Sequence, residues 1–180
     1  MKRGVCDIAR ANRMADADLA LHPGRTLLIP SEVCKPDNNS CLLARQNATA
    51  TCILGGPHTY QTVQGDTLES IALKKFNITT ATLMKNTRRR QGGNITVTTP
   101  LNPGMTIKIP QCSPSQCVVQ PYHLTYGTYR DLAARVGTTV GQIMAFNPGY
   151  TTSQAEVGEG PVLTIPMDCT ALSTNMTIID

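Results

Sequence analysis

The feature that most constrains this chain is a short segment, ending in Ile-Pro, that occurs three times in 180 residues. The copies read TLLIP at 26–30, TIKIP at 106–110 and VLTIP at 162–166. A Pro-Gly or Gly-Pro turn signal precedes each copy, and a cysteine follows each within four residues. Each copy is predicted to be a short strand that ends at its proline, because proline cannot donate to a sheet ladder. The repetition predicts several small modules rather than one large domain.

A helix-like run that ends in asparagine lies upstream of each strand, at 8–12, 83–86 and 143–147. Asparagine suits a helix end because it tolerates the left-handed conformation. The second and third units also carry an earlier β-prone segment, at 59–63 and 122–126, which runs into a glycine and a first helix. Each complete unit therefore reads strand, helix, helix, strand.

Apolar stripes and caps support these helices. The predicted core face of the first helices carries Leu68, Ile71 and Ala72 in unit two and Leu132, Ala133 and Val136 in unit three. Three pairs have capping-box spacing: Asp66 with Glu69, Thr128 with Asp131, and Thr139 with Gln142. The second helices are predicted over 79–86 and 138–147.

The fold class is therefore predicted to be α+β, with tandem modules stapled by disulfides. In each module the two end strands form a two-stranded antiparallel sheet, and the two helices cover one face of it. Unit one lacks the first strand and helix, so the chain is expected to begin in the middle of a module. The predicted boundaries are module one at 1–33, a cysteine-containing linker at 34–57, module two at 58–112, a short linker at 113–120, module three at 121–169 and a tail at 170–180.

The seven cysteines predict disulfides rather than a metal site. No Cys-x-x-Cys pair occurs and the three histidines are isolated, whereas zinc ligands need short paired spacings. Paired end strands bring the ends of a module together, which predicts Cys52–Cys112 and Cys117–Cys169, each contributing about 2–4 kcal/mol. Cys6, Cys34 and Cys41 remain, and one of them lacks a partner. That one is a free thiol, an intermolecular link, or has its partner in the absent half of module one.

Cysteine usage and five Asn-x-Ser/Thr sequons predict a secreted, extracellular glycoprotein. The predicted N-glycosylation sites are Asn38, Asn47, Asn77, Asn94 and Asn175. A signal peptide is not visible, because no apolar stretch follows the charged residues at positions 2 and 3. A net charge of +4 does not suggest a nucleic-acid partner, and no apolar run approaches the roughly 20 residues that span a bilayer. No cofactor is predicted.

Module two resembles the lysin motif (LysM) domain in Gly65-Asp66-Thr67-Leu68, in 76–79 and in the Pro103-Gly104 turn before 107–110. Module three resembles a divergent LysM in which Thr128 replaces Asp66, and module one resembles the second half of one. The cysteines that flank the modules look like those of secreted fungal effectors with three LysM modules.

This resemblance implies non-catalytic binding of chitin fragments or peptidoglycan, both polymers of N-acetylglucosamine. Effectors of this kind sequester chitin oligomers from host receptors or shield the fungal wall. The ligand of the family lies between the loop that joins the first strand to the first helix and the loop that joins the second helix to the last strand. The residues implied are Gly65, Asp66, Thr67, Leu68 and Asn86 in module two, Gly127, Thr128, Tyr129, Asn147, Tyr150 and Thr151 in module three, and Asp16, Asp18 and Leu19 in module one.

The residues themselves agree with backbone-based sugar recognition. Glycine permits close approach of a ligand, and a helix N-terminus offers unpaired N–H groups to an acetamide carbonyl. The chain has no tryptophan, which disfavours a flat aromatic platform. Asp66 and Glu69 are interpreted as a helix cap rather than an acid–base pair, because glycosidase carboxylates face each other across a cleft.

Other functions are weighed against this one. An enzyme with LysM modules needs room for a catalytic domain, and neither the linker nor the tail provides it; Gly-x-Ser-x-Gly and His-Glu-x-x-His are also absent. Three alternatives stay open. The chain could be a peptidoglycan- or wall-associated LysM protein, an accessory module of a chitin-degrading enzyme, or a protein that dimerises through its odd cysteine or around a shared ligand. In some relatives modules one and three close on one oligomer, and the missing half of module one predicts that this composite site is impaired.

Overall fold

The computed structural model describes residues 2–21, 23–91, 95–150 and 162–179. The helices are α1 (Val5–Ala11), a π-helix (Ser70–Phe76), α2 (Thr80–Gln91), α3 (Tyr129–Val136), α4 (Val140–Phe146) and a 3₁₀ turn (Pro148–Tyr150). The strands are β1 (Ile53–Leu54), β2 (Thr59–Gln61), β3 (Thr106–Lys108), β4 (Gln111–Ser113), β5 (Ser115–His123), β6 (Val162–Ala171) and β7 (Thr177–Ile179).

Modules two and three have the predicted architecture of two helices on a two-stranded antiparallel sheet. In module two, β2 pairs with β3 and places Tyr60 opposite Ile107. In module three, β5 pairs with β6 and places Tyr122 opposite Leu163. The predicted apolar stripe of the π-helix is in the core, where Ile71 is fully buried. The α+β fold class is confirmed.

The end strands of module three are longer than the sequence predicts. β5 starts inside the predicted 113–120 linker, and β6 continues through Pro166 to Ala171. The prediction that this strand ends at its proline is therefore wrong. A two-stranded sheet has a free edge on each strand, and a proline there need not remove a ladder hydrogen bond.

In module one the strand-like segment 26–30 is not paired, contrary to prediction. Ile29 is 51% exposed, whereas its counterparts Ile109 and Ile165 are each 1% exposed. The segment is hydrogen-bonded to Asn12 at the end of α1 and to Arg3 before it.

The disulfides confirm both predicted pairs, Cys52–Cys112 and Cys117–Cys169. A third joins Cys6 to Cys41 and ties α1 to the segment that follows module one. Cys34 is the free cysteine among the described residues, and it is exposed.

The segments interpreted as linker and tail are packed against the modules. Strand β4 pairs with β1 from 34–57 on one side and with β7 from the tail on the other. Modules two and three share one apolar core. Helix α4 approaches the π-helix so closely that a Cβ on Gly141 would lie 2.6 Å from the ring of Phe76. A side chain at position 141 would therefore separate the two modules.

Candidate functional site

Two loops of module two are hydrogen-bonded to each other, and the surface along them, at 62–69 and 95–105, is called the groove of module two below. The first loop joins β2 to the π-helix, and the second joins α2 to β3. The Leu101 amide donates to the Asp66 carbonyl at 2.8 Å, and the Glu69 amide donates to the Val97 carbonyl at 2.9 Å. These bonds cross from loop to loop, so neither loop moves independently of the other.

Thr62, at the end of β2, is hydrogen-bonded to the second loop through both its backbone and its side chain. Its amide donates to Met105 O at 2.9 Å, and its carbonyl accepts from Gly104 N at 2.8 Å. Its hydroxyl donates to Asn102 O at 2.6 Å, and it accepts from Met105 N at 2.9 Å. The residue is buried, and the hydrogen bonds of its hydroxyl extend the pairing of the two chain segments beyond β2 and β3.

Asp66 is buried beneath the first loop and does not cap the helix as predicted. One carboxylate oxygen accepts from Val63 N at 2.9 Å and from the Tyr60 hydroxyl at 2.7 Å. The other accepts from Lys75 Nζ at 2.6 Å, and both side chains of this ion pair are 4% exposed. Burial and the nearby carboxylate raise the pKa of Tyr60 above its ordinary value. The carboxylate therefore stabilises the loop through buried hydrogen bonds and is not accessible to a ligand.

The helix cap of module two is one residue later than predicted. The Ser70 amide donates to Thr67 Oγ1 and the Thr67 amide donates to Ser70 Oγ, each at 3.0 Å. The predicted boxes at Thr128 with Asp131 and at Thr139 with Gln142 are confirmed. Thr128 is thus the counterpart of Thr67 rather than of Asp66, and Gly127 precedes the cap in module three.

Near the end of each second helix, one side chain donates a hydrogen bond to the backbone carbonyl of the residue four positions earlier. Asn12 donates to Ile8 O at 2.8 Å, and Asn147 donates to Ile143 O at 2.7 Å. In module two the residue at this place is Thr87, which donates to Leu83 O at 2.9 Å. The predicted alignment of Asn86 with the two asparagines is therefore wrong by one residue, and Asn86 lies inside α2.

The two asparagines end their helices by clamping the last strand-like segment. Asn147 Nδ2 donates to Thr164 O at 2.7 Å, and its Oδ1 accepts from Thr164 N at 2.8 Å. Asn12 makes the same pair of bonds with Leu28. Neither asparagine has the left-handed backbone that the sequence predicts. Thr87 donates its one hydroxyl proton to Leu83 O, so it cannot also donate to a strand carbonyl, and α2 continues to Gln91.

Replacing Asn147 by alanine is expected to destabilise the protein by about 1–3 kcal/mol, because it removes a buried side chain that makes three hydrogen bonds to backbone groups of Ile143 and Thr164. Denaturant unfolding followed by circular dichroism measures the change. Asn175→Ala is the matched control on an exposed side chain and should change the free energy of unfolding by under about 0.5 kcal/mol. Equal effects of the two substitutions would contradict the clamp.

The corresponding loop of module three is covered by module one. The Gly127 amide donates to Arg10 O at 3.1 Å, and the Tyr129 amide donates to Met14 O at 3.3 Å. Arg10 also forms an ion pair with Asp131 at 3.0 Å. Burial opposes a lowered pKa for Asp131, but hydrogen bonds from Arg10 and Thr128 outweigh it and hold the pKa below its ordinary value. The carboxylate is thus kept charged at this contact.

Comparison with known proteins is consistent with this arrangement of modules. The sequence profile of the LysM domain matches residues 4–30, 60–110 and 128–166, together more than half of the chain. The chain belongs to the LysM domain family. It is 49% identical over 176 residues to the secreted LysM effector LysM13 of Penicillium expansum, and the match covers 97% of this chain and 74% of the relative. It is 38% identical over 176 residues to the secreted LysM effector ECP6 of Passalora fulva, covering 96% and 73%.

These relatives place the chain among the secreted fungal LysM effectors, and its location is extracellular. Three disulfides agree with an oxidising compartment. LysM modules bind carbohydrate of the chitin type, and the chain shares that general activity; no enzyme family is indicated by the matches. Within the described ranges, no helix is long and apolar enough to cross a membrane.

The LysM structure places the predicted ligand residues in different environments. Gly65 is exposed and Thr67 is half-buried at the groove of module two, whereas Leu68 is fully buried in the core. In module three, Tyr150 is exposed and its carbonyl accepts from the Tyr129 hydroxyl at 2.9 Å. Thr151 lies outside the described residues. Of the predicted ligand residues in module two, Gly65 and Thr67 are therefore the ones that a ligand can reach.

Two of the three ligand residues predicted for module one are buried. Asp16 and Leu19 are buried, and Asp18 is exposed with its carboxylate 4.0 Å from Lys74 Nζ. Burial raises the pKa of Asp16, although the Asp18 amide donates to it. The first turn of α1 is also bonded to the linker, since Val5 N donates to Asn38 Oδ1 at 3.0 Å.

The predicted glycosylation sites differ in their surroundings. The exposed ones among the described residues are Asn38, Asn47, Asn77 and Asn175. Asn94 lies outside the described residues. Modification at these positions stays a prediction.

Proposed function

We propose that this LysM protein binds N-acetylglucosamine oligomers of the chitin type without cleaving them, through the groove of module two. The supporting observation is Gly65, which is exposed at the tip of the first loop with a φ of +87°. A Cβ placed there would meet no protein atom within 4 Å. The positive φ favours glycine at this position, and the space beside it is open to a ligand that approaches closely.

The groove offers a rigid backbone surface. The two loops are joined by hydrogen bonds at Asp66 and Glu69, and they rest on Thr62 and the buried ion pair. A preformed surface loses little conformational entropy on binding, which favours affinity for short oligomers. The carboxylate of Asp66 is used inside the protein and does not face a second carboxylate across the groove, which supports binding over hydrolysis.

The biological role proposed for this binding is sequestration of chitin oligomers from host receptors, with shielding of the fungal wall as the related outcome. On polymers much longer than a hexamer, a second chain bound to the same ligand belongs to this proposal, because a polymer of repeated sugars can engage two modules at once. Isothermal titration with chitohexaose is expected to show one oligomer bound per chain. No heat at micromolar protein would contradict the proposal, and tighter binding of a peptidoglycan fragment would make that polymer the ligand.

Replacing Gly65 by asparagine is expected to weaken chitohexaose binding about tenfold or more, a loss of about 1.4 kcal/mol. Asparagine tolerates the left-handed backbone, so the variant adds a side chain at the groove with little strain. Gly137→Asn is the matched control, since Gly137 also has a positive φ of +66° and open space around its Cβ position. Both substitutions create an Asn-x-Thr sequon, so titration calorimetry compares the two variants on protein produced without N-glycosylation. Equal losses of affinity would show that Gly65 does not contribute to the site.

A further inference from the structure

Asn77 lies beside a cleft between modules two and three. The residue ends the π-helix with a left-handed backbone, at a φ of +53°, and it is exposed. It lines two cavities in the cleft, of about 390 Å³ and about 220 Å³. Thr138 and Thr139 of module three line the same two cavities. A group attached to the side chain of Asn77 would therefore start at the border between the two modules.

The wall of the cleft on the side of module two is held by backbone hydrogen bonds. The Gln46 amide donates to the Leu73 carbonyl at 3.1 Å, and the Thr79 amide donates to the Ala50 carbonyl at 2.8 Å. These bonds fix the chain segment 46–50 against the π-helix at positions before and after Asn77. The cleft is therefore preformed, and a sugar that packs there would not have to order this wall.

The surface of the larger cavity suits an acetamido sugar. Two adjacent alanines of α3, at 133–134, provide apolar surface for the acetyl methyl group. The Thr138 hydroxyl donates to Gln142 Oε1 at 3.1 Å, so its lone pairs can still accept a hydrogen bond from a sugar hydroxyl. The side chain of Lys74 also lines the cavity, and its ammonium can donate to an acetamide carbonyl. The wall thus combines apolar surface with a few polar groups, as sites for small ligands do.

We propose that Asn77 carries an N-linked glycan whose first N-acetylglucosamine packs in this cleft and stabilises the contact between modules two and three. The sequon Asn77-Ile78-Thr79 supplies the acceptor. The donor is an oligosaccharide linked to a polyprenyl diphosphate in the secretory pathway. Asn77 Nδ2 forms a bond to C1 of the first sugar and loses one proton. The bond from C1 to the diphosphate oxygen breaks, and the polyprenyl diphosphate leaves with the electron pair.

The experiment uses the full chain secreted by a yeast. Mass spectrometry of the peptide that contains Asn77 is expected to show a glycan on most molecules, and a peptide without glycan would overturn the proposal. An endoglycosidase that cuts after the first N-acetylglucosamine then leaves one sugar on each occupied asparagine. This trimmed protein is expected to have a Tm about 2–4 °C above that of Asn77→Gly treated in the same way. Glycine tolerates the left-handed backbone, so the substitution removes the acceptor with little strain.

Two controls isolate the effect of the sugar. The same two sequences made in bacteria, without glycans, give the effect of the substitution itself on Tm, which is subtracted. Asn47→Gln is the matched control for a sequon, because Asn47 is exposed and is not among the described residues that line either cavity. This variant should leave the Tm unchanged. After subtraction, equal Tm values for the trimmed protein and Asn77→Gly would overturn the stabilising role of the sugar.

A further variant tests where the sugar lies. Ala134→Gln places a longer side chain at the wall of the larger cavity, and glutamine is also a good helix former. In this background the trimmed protein and its Asn77→Gly counterpart are expected to have the same Tm, because the sugar can no longer pack against α3. A difference in Tm as large as in the unchanged chain would overturn the placement of the sugar in the cleft.

Discussion

Replacing Lys75 by methionine is expected to lower the free energy of unfolding by about 3–5 kcal/mol, because it leaves the Asp66 carboxylate buried without its counter-charge. The ammonium of Lys75 lies 2.6 Å from Asp66 and 2.7 Å from the Tyr60 hydroxyl. Methionine has a similar volume and no charge, so the change isolates the electrostatic contribution. Urea unfolding followed by circular dichroism gives the free energy.

Two comparisons test the cause of this loss. Lys74→Met, one residue earlier on an exposed side chain, should change stability by under about 0.5 kcal/mol. Asp66→Asn combined with Lys75→Met removes both charges and keeps acceptors for Val63 N and the Tyr60 hydroxyl, so it should recover much of the loss. A double variant as unstable as Lys75→Met alone would show that the lysine acts through packing rather than charge.

Removing the disulfide of module two, by Cys52→Ser with Cys112→Ser, is expected to cost about 4 kcal/mol. The bond joins residues 60 positions apart, and opening a loop of that length restores considerable entropy to the unfolded chain. The double variant is made in a Cys34→Ser background, which removes the free thiol and prevents it from exchanging with the remaining disulfides.

The Cys34→Ser background alone is the control, and it should be as stable as the wild type because the thiol is exposed and outside the core. Urea unfolding under oxidising conditions compares the three proteins. A loss below about 1 kcal/mol for the double variant would mean that strands β1 and β4 hold the ends of module two without the covalent bond.

Much of the fold could be predicted because it is local. The Ile-Pro segments, the glycines before the first helices and the apolar stripe of Ile71 all act within one module of about 50 residues. Pairing of the end strands then determines which cysteines meet, so Cys52–Cys112 and Cys117–Cys169 follow from topology without knowledge of distances.

The hydrogen bonds of the candidate site could be predicted less well from the sequence. Spacing placed Asp66 and Glu69 in a capping box, but the cap belongs to Thr67 and Ser70, because Lys75 and Tyr60 draw the carboxylate into the core. Lys74 and Lys75 are adjacent in the sequence, and no local pattern indicates that only the second of them is buried. The one-residue shift from Asn86 to Thr87 likewise depends on which side chain reaches the Leu83 carbonyl.

The sequence by itself determined a repeated LysM module, its strand-helix-helix-strand order and two of its three disulfides, since these depend on patterns within each repeat. Only the tertiary structure decided which loop is accessible. Ile29 of module one is exposed, and the carbonyls of Arg10 and Met14 accept hydrogen bonds from module three. These contacts between modules one and three join residues more than 100 positions apart, and no local pattern in the sequence encodes which amide meets which carbonyl.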